Sequence, residues 1–387
     1  MIPPAISALR SFYRDRLGQT GSIALHEPSF AGHEWDYVKE CLDTGWVSSA
    51  GSYVDRFELE LARRAGTRFA IATVNGTAAL HVVLHAIGIG PGDLVVCPPL
   101  SFVATTNAVA YCGALPAFVD IDAASLGLDP VQLAAFLERD CVRDGGKTVH
   151  RASGRRVAAV LPVHIFGHPC AMEEILRVAA AHDLPVIEDS TEALGSLYQG
   201  RRCGGLGLAG VLSFNGNKII TTGGGGAVTT DNEALARRLK HLTTTARVAH
   251  RWTFDHDEVG FNYRLPNINA ALGCAQLESL DDRIERKRRL HAAYDELLRG
   301  LPGVSLFTEQ AGTRSNYWLN ALLLDDPDQM EPFLKETNDS GIQTRPCWRL
   351  LCDLPAFAEA PRHGLLGAAR QTAERLVNIP SSPTLIP

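Results

Sequence analysis

Apolar residues recur at helical spacing in two early stretches, at Trp35, Val38 and Leu42 in HEWDYVKECLDTGW and at Val54, Phe57, Leu59 and Leu61 in YVDRFELELARRAG. Each predicts an amphipathic helix, the first ended by Gly45 and the second laid over a sheet. The residues ahead of them read as a polar arm. Between them, VSSAGSYV is a linker or a loop that hydrogen-bonds a polar ligand.

From residue 68 the pattern changes to short apolar runs alternating with helical ones. RFAIATV reads as a strand, Asn75-Gly76-Thr77 as a tight turn, and the residues to about Ile87 as a helix. PGDLVVCPP, SFVATTNAVAYCGA and LPAFVDID repeat the order strand, helix, strand, as do RVAAVLPVH, CAMEEILRVAAAHD and LPVIEDSTEALGS. That order predicts an α/β fold with parallel strands and right-handed crossovers. Asp129 to Glu138 is helical, and the charged RDCVRDGGKTVHRASGRR is a solvated excursion or hairpin. After strands in AGVLSF and GAVTTD, a helical pattern runs from Asn267 to about Leu298, anchored by Leu272, Leu277, Leu280 and Ile284. A smaller α/β unit follows, with strands in SNYWLNALLL and IQTRPCW and a helix in DQMEPFLKETNDSG that Gly341 ends.

Length and charge narrow the possibilities. At 387 residues the chain exceeds one ordinary core, so two domains are expected. A balance of 45% hydrophobic and 21% charged residues belongs to a folded protein, and a net charge of -6 gives no reason to expect nucleic acid or an anionic membrane as partner. Nine cysteines at irregular spacing, without a CxxC pair, argue against a disulfide framework and a zinc site. No run of about 18 apolar residues offers a membrane span, and MIPPAISALRSFYRDRLGQ lacks the apolar centre of a signal peptide. A soluble protein of the reducing cytoplasm is expected.

Lys218 carries the most chemistry. It stands in SFNGNKIITTGGGG, in the loop between two strands, among amides and hydroxyls and just ahead of four glycines. A lysine that loses its proton readily can attack a carbonyl carbon to form an imine, although a surface lysine before a flexible turn has the same local sequence. The turn at Asn75-Gly76-Thr77 points the free N–H groups of a helix start at whatever lies beyond, and phosphate is the usual occupant; ordinary capping by Asn75 or Thr77 is the alternative. Asp189, after Glu188, ends a strand at the edge where open α/β sheets bind ligands, unless it caps the next turn. Phe102, at a strand-to-helix switch, is core or an aromatic plate beside a ligand. An imine-forming lysine, a phosphate-binding helix start and an acidic strand end are together what pyridoxal 5'-phosphate requires.

VNGTAALH, PLSFVATTNA, VIEDSTEALGS, SFNGNKIITTGGGG and GFNYRLPNINAALG resemble, in order and spacing, motifs of the DegT/DnrJ/EryC1/StrS sugar aminotransferases, and the resemblance covers almost the whole chain. It implies a fold-type I pyridoxal-phosphate transferase: residues 1–266 as a large domain with a mainly parallel seven-stranded sheet and an N-terminal arm, and 267–387 as a small C-terminal α/β domain. By motif, Lys218 matches the Schiff-base lysine and Asp189 the partner of the pyridine nitrogen. Glu192 matches the polar residue beside the pyridoxal hydroxyl, Phe102 the aromatic on the ring, and Gly76, Thr77 and Ser213 the phosphate cradle. Asn262 matches an asparagine that reaches the phosphate of the neighbouring subunit, which implies a homodimer with shared sites. Ser48, Ser49, Arg345 and Trp348 are expected near the substrate. Family members with histidine in place of the lysine are dehydratases, and Lys218 argues against that chemistry.

A narrower resemblance lies in ALHEPSFAGHEWDYV, TGWVSSAGSYVDRFE, VHIFGHP, SNYWLN, GIQTRPCWRLL and NIPSSP. These stretches are similar to the branch that aminates C4 of UDP-2-acetamido-2,6-dideoxy-4-keto-hexose for surface glycan sugars. The expected reaction is transfer of an amino group from L-glutamate to that nucleotide sugar, with a GDP- or dTDP-linked keto sugar as the alternative. A nucleotide-binding oxidoreductase on the same α/β pattern would need GxGxxG after its first strand, and IATVNGTAAL lacks it.

Overall fold

A computed structural model describes residues 3–386. The helices that matter for the site are α1 (Pro3–Ser11), α2 (Glu34–Thr44), α3 (Ser52–Ala65), α4 (Gly76–Ala86), α5 (Ala104–Tyr111), α6 (Asn267–Glu278) and α7 (Leu280–Leu298). Seven strands form the main sheet: β1 (Phe69–Thr73), β2 (Asp93–Cys97), β3 (Leu115–Phe118), β4 (Arg156–Val160), β5 (Ile187–Asp189), β6 (Ala209–Ser213) and β7 (Gly226–Thr230). Bridges from Val160 to Val186 and from Val163 to Asp189 join its two halves in the order β3-β2-β4-β5-β6-β7-β1. Only β7 runs against its neighbours, so the sheet is mainly parallel, as expected for fold type I. A parallel sheet covered on both faces needs continuous apolar strands, and every residue of β2 is buried. α4 is buried from Ala78 through Leu84, which explains why it is apolar nearly all round.

The second unit is an antiparallel sheet of β8 (Val304–Leu306), β9 (Asn320–Leu324), β10 (Arg345–Pro346) and β11 (Leu376–Ile379), ordered β8-β9-β11-β10. The excursion at 141–150 is a hairpin in which Cys141 pairs with His150. All nine cysteines are free and buried.

Three expectations need correction. The N-terminal arm is helical, and Phe12 and Tyr13 sink beside Tyr294 into the core of the second unit. The long helix breaks at Ser279, and α6 packs with Phe57 of α3 through Ala270, Ala271 and Cys274. α2 forms where its period predicts, but Trp35 (76% exposed) and Leu42 (59%) face outward while Glu34 and Cys41 are buried. Glu34 turns inward because the amide of Gln276 and the guanidinium of Arg283 meet its carboxylate. A carboxylate so partnered tolerates burial, and the apolar residues are left on the opposite face.

Candidate active site

The carboxyl edge of the main sheet carries the site. After β1, Asn75 caps α4 by accepting the N–H of Ala78 at 2.7 Å through its side chain. The N–H groups of Gly76 and Thr77, in the first turn, are then left pointing out of the helix. A Cβ on Gly76 would sit 3.0 Å from Cβ of Ser213, and one on Gly226 would sit 2.4 Å from the carbonyl carbon of Asn75. Gly226 is thus required for the ends of β1, β6 and β7 to close around this turn, and Gly76 leaves room that a side chain would crowd. The result is a concave cradle of N–H groups with the Ser213 hydroxyl on its rim.

Asp189 and Glu188 are neighbours on β5 and point to opposite sides. Asp189 is 3% exposed; it accepts from the hydroxyls of Thr105 (2.8 Å) and Thr191 (2.7 Å) and lines a cavity of about 570 Å³. Glu188 is fully buried and accepts from the backbone N–H groups of Gly204, Leu206 and Gly207 at 2.6 to 2.9 Å. Glu188 is therefore a staple for the loop ahead of β6, and Asp189 is the carboxylate offered to the cavity.

Lys218 lies in the turn between β6 and β7. Ile219 and Ile220, both buried, anchor that turn, and Thr222 N–H returns to the carbonyl of Phe214 at 3.0 Å. Its side chain reaches into the cavity, with Nζ 3.4 Å from Oε1 of Glu192 and 3.9 Å from the centre of the Trp318 ring. Trp318 is held by its indole N–H on the carbonyl of Asn217 at 2.7 Å. Burial pushes the carboxyl of Glu192 up, while the Lys218 ammonium and the N–H of Phe166 oppose that shift.

The cavity unites Gly76, Thr77, Phe102, Asp189, Glu192, Ser213, Lys218, Arg345 and Trp348 of the residues expected from sequence. Phe102 is half-exposed in it, edge-on to Trp348. Asn262, Ser48 and Ser49 are exposed and outside that lining. Sequence reading passed over Thr105, Thr191 and Trp318. Thr105 follows Ser101 by four residues and shares a 2.7 Å hydrogen bond with it, a spacing visible in PLSFVATTNA.

A model of the DegT/DnrJ/EryC1/StrS aminotransferase family matches residues 28–387. The chain belongs to this family. A GDP-perosamine synthase of Escherichia coli O157:H7 is 37% identical over 364 residues, covering 94% of each chain. One from Caulobacter vibrioides is 38% identical over 87% of each. Among solved structures, the aminotransferase TlmJ from Streptoalloteichus hindustanus superposes with a TM-score of 0.84 at 28% identity, over 93% of this chain and 94% of that one. The family member described here is a pyridoxal-phosphate-dependent sugar aminotransferase. No helix of the described residues is long and apolar enough to cross a membrane.

The residues present fit the cofactor. The cradle at Gly76 and Thr77 offers N–H groups and a hydroxyl to a phosphate without a Cβ in the way. Across the cavity stand a buried carboxylate fixed by two threonines and the amine of Lys218.

Proposed function

We propose that this aminotransferase moves an amino group from L-glutamate to C4 of a nucleotide-linked 4-keto-6-deoxy sugar, and that the nucleotide is GDP. The observation that carries the reading is the near end-to-end match to GDP-perosamine synthases, whose product bears its amino group at C4 of a 6-deoxy sugar. The UDP-2-acetamido sugar suggested by GIQTRPCWRLL and NIPSSP is the competing substrate.

In this reading the N–H groups of Gly76 and Thr77 and the Ser213 hydroxyl would hold the cofactor phosphate, Asp189 would serve the ring nitrogen, Glu192 the ring hydroxyl, Phe102 the ring, and Lys218 the carbonyl carbon. Bound pyridoxal phosphate supplies an electron sink that lets nitrogen pass from amino acid to ketone in two half-reactions. Lys218 Nζ removes the α-proton of glutamate in the first half-reaction and delivers a proton to C4 of the sugar in the second, because it is the one amine of the cavity lining among the described residues. Trp318, over Nζ, keeps that amine away from bulk water. The partner is a second copy of the chain. Exposed Trp35, Trp46, Leu59, Trp252 and Phe254 supply apolar surface for it, and Asn262, Ser48 and Ser49, outside their own cavity, are free to serve the partner's site.

The test is amination, with glutamate, of GDP-4-keto-6-deoxymannose and of UDP-2-acetamido-2,6-dideoxy-4-keto-hexose, with products identified by mass. Turnover of the UDP sugar alone would replace the GDP reading. Turnover of neither, with other keto sugars also inert, would overturn C4 amination.

A further inference from the structure

One wall of the cavity has no part in the roles given so far. β10 and β11 pair with Arg345 opposite Asn378, so the two side chains share a face of the small sheet, and both line the cavity that holds Lys218. Asn378 is 3% exposed, and its amide nitrogen has no hydrogen-bond partner among the described residues. A buried polar group left unpaired is an exception that a bound ligand can remove. Arg345 is exposed, and the two hydrogen bonds of its guanidinium go to neutral acceptors, the carbonyl of Thr344 at 3.1 Å and Oδ1 of Asn338 at 3.3 Å. Among the described residues Lys218 and Arg345 are the two cationic side chains of the lining, and Lys218 is engaged with Glu192.

We propose that Arg345 and Asn378 form the subsite for the α-carboxylate of the amino donor, an inference that rests on the aminotransferase reading above. An amino acid enters as an anion beside two acidic side chains, Asp189 and Glu192, that line the same cavity. It needs a cation that Lys218 cannot supply while attached to the cofactor. A guanidinium presents a planar fork that matches a carboxylate, and the neighbouring amide adds a further N–H in the same direction. The depth of Asn378 selects the donor over the nucleotide. The α-carboxylate is one bond from the reacting carbon, whereas the diphosphate of a nucleotide sugar sits on C1, across the ring from C4. An anion that touches a residue this buried must be attached close to the reacting atom.

The experiment titrates holoenzyme with α-methylglutamate, which carries the amine and both carboxylates but has no α-proton to lose, and separately with GDP. Binding is read from the cofactor absorbance for the amino acid and by calorimetry for GDP. Arg345→Gln and Asn378→Ala should each weaken α-methylglutamate by about 10- to 100-fold, the range for losing a hydrogen bond to a charged group. Arg345→Lys should recover part of the loss, since it restores the charge but not the fork. Asn378→Asp leaves no cavity and should lose as much as Asn378→Ala, because its carboxylate would occupy the guanidinium. GDP affinity and melting temperature should stay at wild-type values throughout. Unchanged amino-acid affinity in Arg345→Gln and Asn378→Asp overturns the subsite. A matching loss of GDP affinity overturns it too and gives the guanidinium to the diphosphate. If wild-type enzyme neither binds the amino acid nor takes nitrogen from any donor, the aminotransferase reading falls with it; wild-type binding with insensitive variants removes the subsite alone.

Discussion

Glu192 holds one carboxylate oxygen 3.4 Å from Nζ of Lys218 and the other 2.7 Å from the N–H of Phe166, whose backbone is left-handed at φ 54°. That conformation costs a bulky residue roughly 1 to 3 kcal/mol. It is also what aims the Phe166 N–H at Glu192 while the Phe166 ring stacks on Trp348 at 5.2 Å. The Lys218 amine and the aromatic wall of the cavity are thus tied to one buried carboxyl.

The protonation of that carboxyl is measurable. Burial raises the folded pKa of Glu192 above its ordinary 4.5. Below the ordinary value both folded and unfolded chains are protonated and the stability linked to the retained proton is fully present. As pH rises through the raised folded value the folded state loses stability relative to the unfolded one, and the loss is complete above it. In cofactor-free protein, Glu192→Gln should therefore gain stability relative to wild type between roughly pH 4 and pH 8. Urea unfolding at both pH values checks this, and a difference that does not change with pH would contradict the raised value.

Lys218 should carry the cofactor covalently. Purified protein should absorb visible light, borohydride should fix the cofactor, and a peptide map should place it on Lys218. A label elsewhere would defeat the assignment. Lys218→Ala should lose all turnover yet melt near the wild-type temperature, because the side chain is in a turn and not in the core.

Asp189 and Glu188 should fail in different ways. Asp189→Asn should fold and bind cofactor but lose on the order of 5 kcal/mol of transition-state stabilisation, several thousandfold in rate. Glu188→Ala leaves the N–H groups of Gly204, Leu206 and Gly207 without an acceptor, and should cost about 3 kcal/mol of folding stability. Circular dichroism melts beside single-turnover rates separate the two. A stable Glu188→Ala with a crippled rate would exchange their roles.

Mixing decides whether sites are shared. Lys218→Ala and Asn262→Ala chains, each impaired alone, should recover part of wild-type activity after subunit exchange, since one site of the heterodimer then carries neither lesion. With exchange verified by mass spectrometry, no recovery would mean that Asn262 serves its own chain.

Some of this was legible in the sequence because it is local. The strand and helix alternation, the Asn75-Gly76-Thr77 turn and the Lys218 loop ahead of Gly223 to Gly226 depend on residues a few positions apart, where period and the lack of a Cβ are visible in the letters. Gly76, Thr77, Asp189 and Ser213 could be proposed from sequence for the same reason, since each sits at the end of a strand or the start of a helix.

That Asp189 and not Glu188 is offered to the cavity was expected from its place at the strand end and from the motif, but the alternation along the strand does not by itself say which face is which. Side chains alternate across a strand, and only the packing of β5 between β4 and β6 decides that Asp189 meets Thr105 while Glu188 meets the loop at 204–207. The same holds for α2, whose apolar stripe at Trp35 and Leu42 gave the helix but not its orientation, because Gln276 and Arg283, more than 200 residues away, draw Glu34 inward. Sequence alone determined which elements form and which residues have the chemistry for an imine and a phosphate. The tertiary structure decided which side chains share a cavity, Arg345 with Asn378 and Lys218 with Trp318, because those pairings arise from strands and loops that meet only after the whole chain has packed.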